Sequence, residues 1–154
     1  ILYGWNNRRS CSQSRKDGKR SGSLEMSESF NIEIISPEKK LLADKINSAT
    51  IPSFEGEMTI LSNHISLITF LRPGIIKIND SQETQYFLEE GTVEFSNNNL
   101  TILSSTIIEV SDLSKDKISK MIEDSKNQLN QDNIDDKTRY VVSHKIDCLS
   151  RINL

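Results

Sequence analysis

Histidine and cysteine are almost missing from this sequence, with two of each among 154 residues, and that shortage excludes several kinds of chemistry. Cys11 and Cys148 stand far apart and form no CxxC pair, so neither a thiol redox motif nor a structural zinc site is available. They read as two unrelated free thiols. His64 and His144 have no histidine or cysteine neighbour at metal-ligand spacing. Glycine is scarce as well: none of the six forms a GxGxxG or GxxxxGKS/T loop, which removes the phosphate-cradling backbone such loops supply. The many serines include no GxSxG elbow. Asp132, Asp135 and Asp136 lack the glycine and the distal glutamate of an EF-hand calcium loop, and helix capping accounts for them instead. No apolar run approaches the roughly 20 residues that cross a bilayer, and the basic N-terminus is not followed by the apolar stretch of a signal peptide. The expectation is a soluble protein of a reducing compartment, without catalytic residues, metal or cofactor, because no cluster of groups with perturbed environments is in sight.

The formal charge of -3 conceals an asymmetry. Residues 1–25 carry Arg8, Arg9, Arg15, Lys16, Lys19 and Arg20 against Asp17 and Glu25, a net +4 that leaves -7 for the remainder. The acidic remainder gives no electrostatic reason to bind nucleic acid or anionic lipid. The basic arm opens on Ile rather than Met and is expected to be a disordered extension foreign to the fold, the protein proper starting at Met26.

From Phe30 onward, short segments of alternating apolar and polar residues are divided by turn residues, as in an all-β sandwich. Phe30, Ile32 and Ile34 alternate with Asn31 and Glu33, so one face is buried and the other meets water. Ser36-Pro37-Glu38 breaks that strand. A second segment spans 41–51, followed by strands at 58–61, 65–71, 75–78, 85–88, 92–95, 100–103 and 106–110. Pro73-Gly74 fits the centre of a type II turn, where glycine takes a positive φ.

After Ser111-Asp112 the apolar period changes from two to three or four. Ile118, Met121, Ile122 and Leu129 form one stripe, with Ser111, Asp112 or Ser114 as its cap. A break at 130–133 leads to a second stripe of Val142, Ile146, Leu149 and Ile152. Two such helices make a hairpin with one apolar side. So small a unit buries too little surface to offset its chain entropy, and it must dock on the sandwich or on a partner. The fold class is mainly β plus α: an antiparallel β-sandwich of about ten short strands in 26–111, then a helical hairpin in 112–154.

The run Ile51-Pro52-Ser53-Phe54-Glu55-Gly56-Glu57-Met58-Thr59-Ile60-Leu61-Ser62-Asn63-His64, continuing to Leu71-Arg72-Pro73-Gly74, resembles the signature of bacterial F-type ATP synthase epsilon subunits, equivalent to the mitochondrial delta subunit. In that family a Gly-Glu pair opens a turn, a Leu-Pro-Gly-His-like turn follows, and Leu-Lys/Arg-Pro-Gly closes the block. Ser36-Pro37-Glu38-Lys39, Glu90-Gly91-Thr92-Val93-Glu94-Phe95 and Leu100-Thr101-Ile102-Leu103 agree as well. The resemblance runs clearly from Phe30 to Leu129 and reaches the last helix by pattern alone. Thr59 stands where glycine is usual, Ile65-Ser66 replaces Ala-Pro, and Ser62-Asn63 replaces Pro-Gly. Asn63 retains access to the left-handed conformation that the glycine supplies. Residues 1–22, read one base out of frame with suitable codons, encode a segment resembling the C-terminal helix of an ATP synthase beta subunit, which fits a start codon placed too early.

The resemblance implies a non-catalytic central-stalk protein that binds the gamma subunit and the c ring, peripheral to the cytoplasmic face of the bacterial inner membrane. It further implies that Glu57, His64 and Arg72 lie where this subunit meets the rotor. In the family the hairpin extends toward the alpha and beta subunits of the head and restrains ATP hydrolysis, and some members bind ATP through an Ile/Leu-Asp-x-x-Arg-Ala motif. Here the matching Leu113-Ser114-Lys115-Asp116-Lys117-Ile118 has lost the aspartate, arginine and alanine, so no ATP site is expected. Lys115, Lys117, Lys120 and Lys126 remain on the first helix to meet acidic surfaces. Two other readings compete: a stand-alone β-sandwich acting as a ligand-binding or hydrolase domain, and nucleic-acid binding through the basic arm.

Overall fold

A computed structural model describes residues 28–152. The arm expected at 1–25, Met26 and Cys11 lie outside the described residues.

Alternation builds the strands. In β1 (Phe30–Ile35) the side chains of Phe30, Ile32 and Ile34 are buried while Asn31 faces solvent. The following strands are β2 (Lys40–Ile46), β3 (Ser48–Ser53), β4 (Gly56–Leu61), β5 (Leu67–Leu71), β6 (Gly74–Asn79), β7 (Glu83–Leu88), β8 (Gly91–Ser96), β9 (Asn99–Leu103) and the short β10 (Ile108–Glu109). They pair in the order β10-β7-β6-β3-β5-β8-β9-β1-β2, with β4 hanging on β3 alone. The sheet curls over a core that includes Phe30, Ile32, Ile51, Ile60, Ile76 and Phe95. Phe30 and Phe95 meet edge to face, their centroids 5.6 Å apart, a favoured aromatic geometry.

Four details differ from the sequence expectation. The single segment at 41–51 is two strands divided at Asn47, because β2 pairs with β1 while β3 pairs with β4, β5 and β6; one straight strand cannot serve both sets of neighbours. The sandwich is antiparallel apart from β1 and β9, which run parallel from Asn31↔Asn99 to Ile35↔Leu103. The strand expected at 106–110 shortens to β10 and passes into a 3-10 turn at Val110–Asp112. Gly74 is not a positive-φ turn residue, since among the described glycines only Gly56 has that conformation (φ 135°). Gly74 opens β6, and glycine is required there by space: a Cβ would lie 2.5 Å from Cβ of Pro52. Asn63 does adopt φ 58°. Asn97 and Asn98, at φ 51° and 57°, form the two-residue link between β8 and β9 that matches strand twist.

The helices are α1 (Lys115–Leu129) and α2 (Asp136–Arg151). Of the three candidate caps, Ser114 serves, its hydroxyl accepting from the Lys117 amide at 3.3 Å. Leu113, Ile118 and Leu149 join Phe87 of β7 in a second buried cluster, flanked by Val110, Met121, Ile122 and Ile152. Burial of such a side chain contributes about 1.5–3 kcal/mol. That cluster holds down a hairpin too small to own a core.

Candidate partner-binding site

Of the three residues singled out from the sequence, Glu57 and Arg72 lie at the same end of the sandwich, both flanking Pro52 and both acting on Cys148 of α2, while His64 stands apart. Glu57 is exposed near the start of β4, opposite Pro52 of β3. His64 lies in the turn beyond the other end of the same strand, whose four steps from Glu57 to Leu61 cover about 13 Å at the usual rise. Its Nδ1 sits 2.8 Å from the Ile65 carbonyl, and its ring packs edge-on against Phe95 at 5.9 Å. The surrounding polar turns are tied together. The Asn63 amide donates to Oδ1 of Asn98 at 2.6 Å, Nδ2 of Asn98 donates to Oδ1 of Asn63 at 3.0 Å, and the Glu28 carboxylate accepts from Ser62 and Asn63. Both asparagines hold positive φ, which this residue type tolerates.

Arg72 is spent on the hairpin. Its Nη1 lies 3.4 Å from the Tyr140 hydroxyl and 3.1 Å from Nε2 of His144. The main chain at Arg72 is fixed by its amide donating to the Pro52 carbonyl at 3.0 Å. Burial, then the Arg72 charge, push the His144 imidazole below its usual value, with Asp147 pulling the other way. Cys148, on the same helix, is pushed up to about 11, first by burial; a thiol so held is a poor nucleophile at neutral pH. Among the described residues no group of three His, Cys, Asp or Glu is arranged to hold a metal ion.

A surface that the sequence reading did not single out is the outward face of β5. Ile68 is 73% exposed and Phe70 65%, with Ile65 before them at 79% and Leu103 of β9 at 48%. Their cross-strand neighbours on β8 are Glu94 and Thr92. An open groove of about 930 Å³ continues from this face past Phe54, Phe70 and Leu103 toward Glu89, Glu90 and Lys137. Large apolar side chains exposed along one strand face make this a candidate interaction surface. The signal was present in the sequence: Leu67-Ile68-Thr69-Phe70-Leu71 is apolar at positions of both parities, whereas a half-buried strand alternates.

Comparison with known proteins gives this face a context. Residues 29–110 match the model of the ATP synthase delta/epsilon chain β-sandwich domain. An ATP synthase epsilon chain of Pelagibacter ubique is 47% identical over 130 residues, spanning 83% of this chain and all of the relative. The chain belongs to the ATP synthase delta/epsilon family. A second family relative, the ATP synthase epsilon chain of Allorhizobium ampelinum, is 33% identical over 106 residues, 68% of this chain and 78% of its own. The fold recurs in a chain of the Euglena gracilis mitochondrial ATP synthase, from a structure of its OSCP, F1 and c-ring, with a TM-score of 0.67 at 18% identity over 79% of each chain. It recurs again in the central stalk and c-ring structure of the Tetrahymena thermophila mitochondrial enzyme, with a TM-score of 0.59 at 15% identity over 80% of this chain and 96% of that one. At such identities the likeness is one of fold. No helix among the described residues is long and apolar enough to cross a membrane.

Proposed function

We propose that this chain is the non-catalytic epsilon-type subunit in the central stalk of a proton-translocating F-type ATP synthase, coupling rotation of the c ring to the catalytic head through the gamma subunit. The observation that carries this reading is the 47% identity extending over the whole length of an ATP synthase epsilon chain. The subunit works by contact. A rotor joint transmits torque through a large complementary surface rather than one special side chain, and the exposed band of Ile65, Ile68, Phe70 and Leu103 supplies the apolar centre of such a surface for gamma. Glu57 and His64 are assigned to the c-ring contact. Arg72 belongs to the same assignment with one difference: its guanidinium is held by α2, so it meets a partner only together with the hairpin or after the hairpin leaves. The chain sits peripherally at the cytoplasmic face of the bacterial membrane.

The hairpin is assigned a restraining role on ATP hydrolysis without nucleotide binding. Where the family's ATP motif would lie, Ser114 caps α1 while Leu113 and Ile118 fill the buried cluster. Lys115, Lys117, Lys120 and Lys126 are all exposed and available to acidic surfaces of the head.

Co-purification tests the reading. A tagged chain expressed with the gamma and c subunits of its own operon should bring both down. Ile68→Glu with Phe70→Glu should lose gamma by an order of magnitude or more while the chain stays folded. Glu57→Ala should weaken coupling only modestly. A chain that purifies alone, carrying a small metabolite in the groove, overturns the proposal in favour of a stand-alone binding domain.

A further inference from the structure

We propose that the contact between Arg72 and His144 makes docking of the helical hairpin on the sandwich acid-labile. The inference rests on the hairpin's own contacts and not on the rotor role. Nη1 of Arg72 lies 3.1 Å from Nε2 and 3.3 Å from Nδ1 of His144. A guanidinium has donors and no acceptor, and a neutral imidazole accepts through its one unprotonated nitrogen, so at most one of the two contacts is a hydrogen bond and the protonated ring offers none. The contact therefore holds with neutral His144 and turns to repulsion between two cations once the ring is protonated.

The neighbours connect this event to docking. Tyr140 packs edge-on against His144 with centroids 4.4 Å apart, places its hydroxyl 3.4 Å from the same Nη1, and stacks on Phe54 of the β3–β4 turn at 6.5 Å. A displaced Arg72 thus disturbs the aromatic contact that joins α2 to the sandwich. Burial most of all, and then the Arg72 charge, disfavour the proton on this ring, and Asp147 favours it. Lys145 is engaged by Glu89 at 2.7 Å. Glu57 of β4 and Arg151 of α2 act on Cys148, one helical turn beyond.

The direction follows from linkage. The docked state holds fewer protons than the released one, so docking is at full strength above the ordinary imidazole value of about 6.5. It weakens as pH falls through that value, approaching tenfold per pH unit, and levels off once the docked ring itself takes the proton.

Nuclear magnetic resonance on the full chain tests this between pH 8 and pH 5. The expected result is a cross-relaxation peak between the Phe54 and Tyr140 rings that fades below about pH 6.5, with a His144 midpoint lower than that of free imidazole. In His144→Gln, whose amide oxygen accepts from Arg72 at any pH, the peak should persist across the range. In Arg72→Gln the His144 midpoint should rise. A peak in the unaltered chain that is indifferent to pH, or one that fades equally in His144→Gln, overturns the proposal. Should His144→Gln fail to fold, the unaltered chain and Arg72→Gln still decide: a His144 midpoint at or above 6.5, unmoved by loss of Arg72, overturns it too.

Discussion

The sandwich and the hairpin hold themselves together in opposite ways. The sandwich encloses its own core, with Ile32, Ile34, Ile51, Ile60, Ile76, Leu100 and Ile102 fully shielded from solvent, and its ladders fix every register. The hairpin buries only Ile118 and Ser125 of α1 and Val142 and Leu149 of α2. It depends on Phe87 beneath it, on Arg72, and on the Lys145–Glu89 ion pair. Elements secured by few apolar contacts occupy the low-stability end of a structure, where segments that move are found. The difference gives one small chain a platform that supports itself and a hairpin held by few contacts.

Three substitutions bear on that contrast, in falling order of effect. Phe95→Ala removes a ring that is 1% exposed and packs on Phe30; it should cost about 3–5 kcal/mol and lower the stability of both regions together, read by urea unfolding followed by circular dichroism. Leu149→Ala, at a site 1% exposed, should cost about 2–5 kcal/mol but confine the loss to helical signal and amide protection in α1 and α2. If the sandwich lost protection to the same degree, the two regions would be one cooperative unit and the contrast would fail. Ser114→Ala deletes the cap of α1 and should cost about 1 kcal/mol, visible as fraying of the first turn of α1 in hydrogen exchange.

Much of this fold was legible because local rules agree with the global structure. Alternation in Phe30-Asn31-Ile32-Glu33-Ile34 and the period change after Asp112 placed strands and helices correctly. Misreadings arose where a distant partner decides. Asn47 divides β2 from β3 because the two strands have different neighbours, which no local window reveals. Gly74 looked like a turn residue beside Pro73, yet Pro52, far back in sequence, dictates its lack of a side chain. The residues of the candidate site were less legible still. Arg72 reaches Tyr140 and His144 across 68 and 72 positions, and the strand holding Ile68 and Phe70 is apolar at both parities, so only the sheet shows which face is covered.

The asparagine pair at the far end from the hairpin has its own consequence. The bonds that Asn63 and Asn98 exchange run between neutral amides, which do not titrate and are scarcely screened by salt. Acid that loosens the grip on α2 leaves this tie unaltered. The link between these two turns therefore persists at a pH that parts Arg72 from His144, and it is independent of how the hairpin is docked.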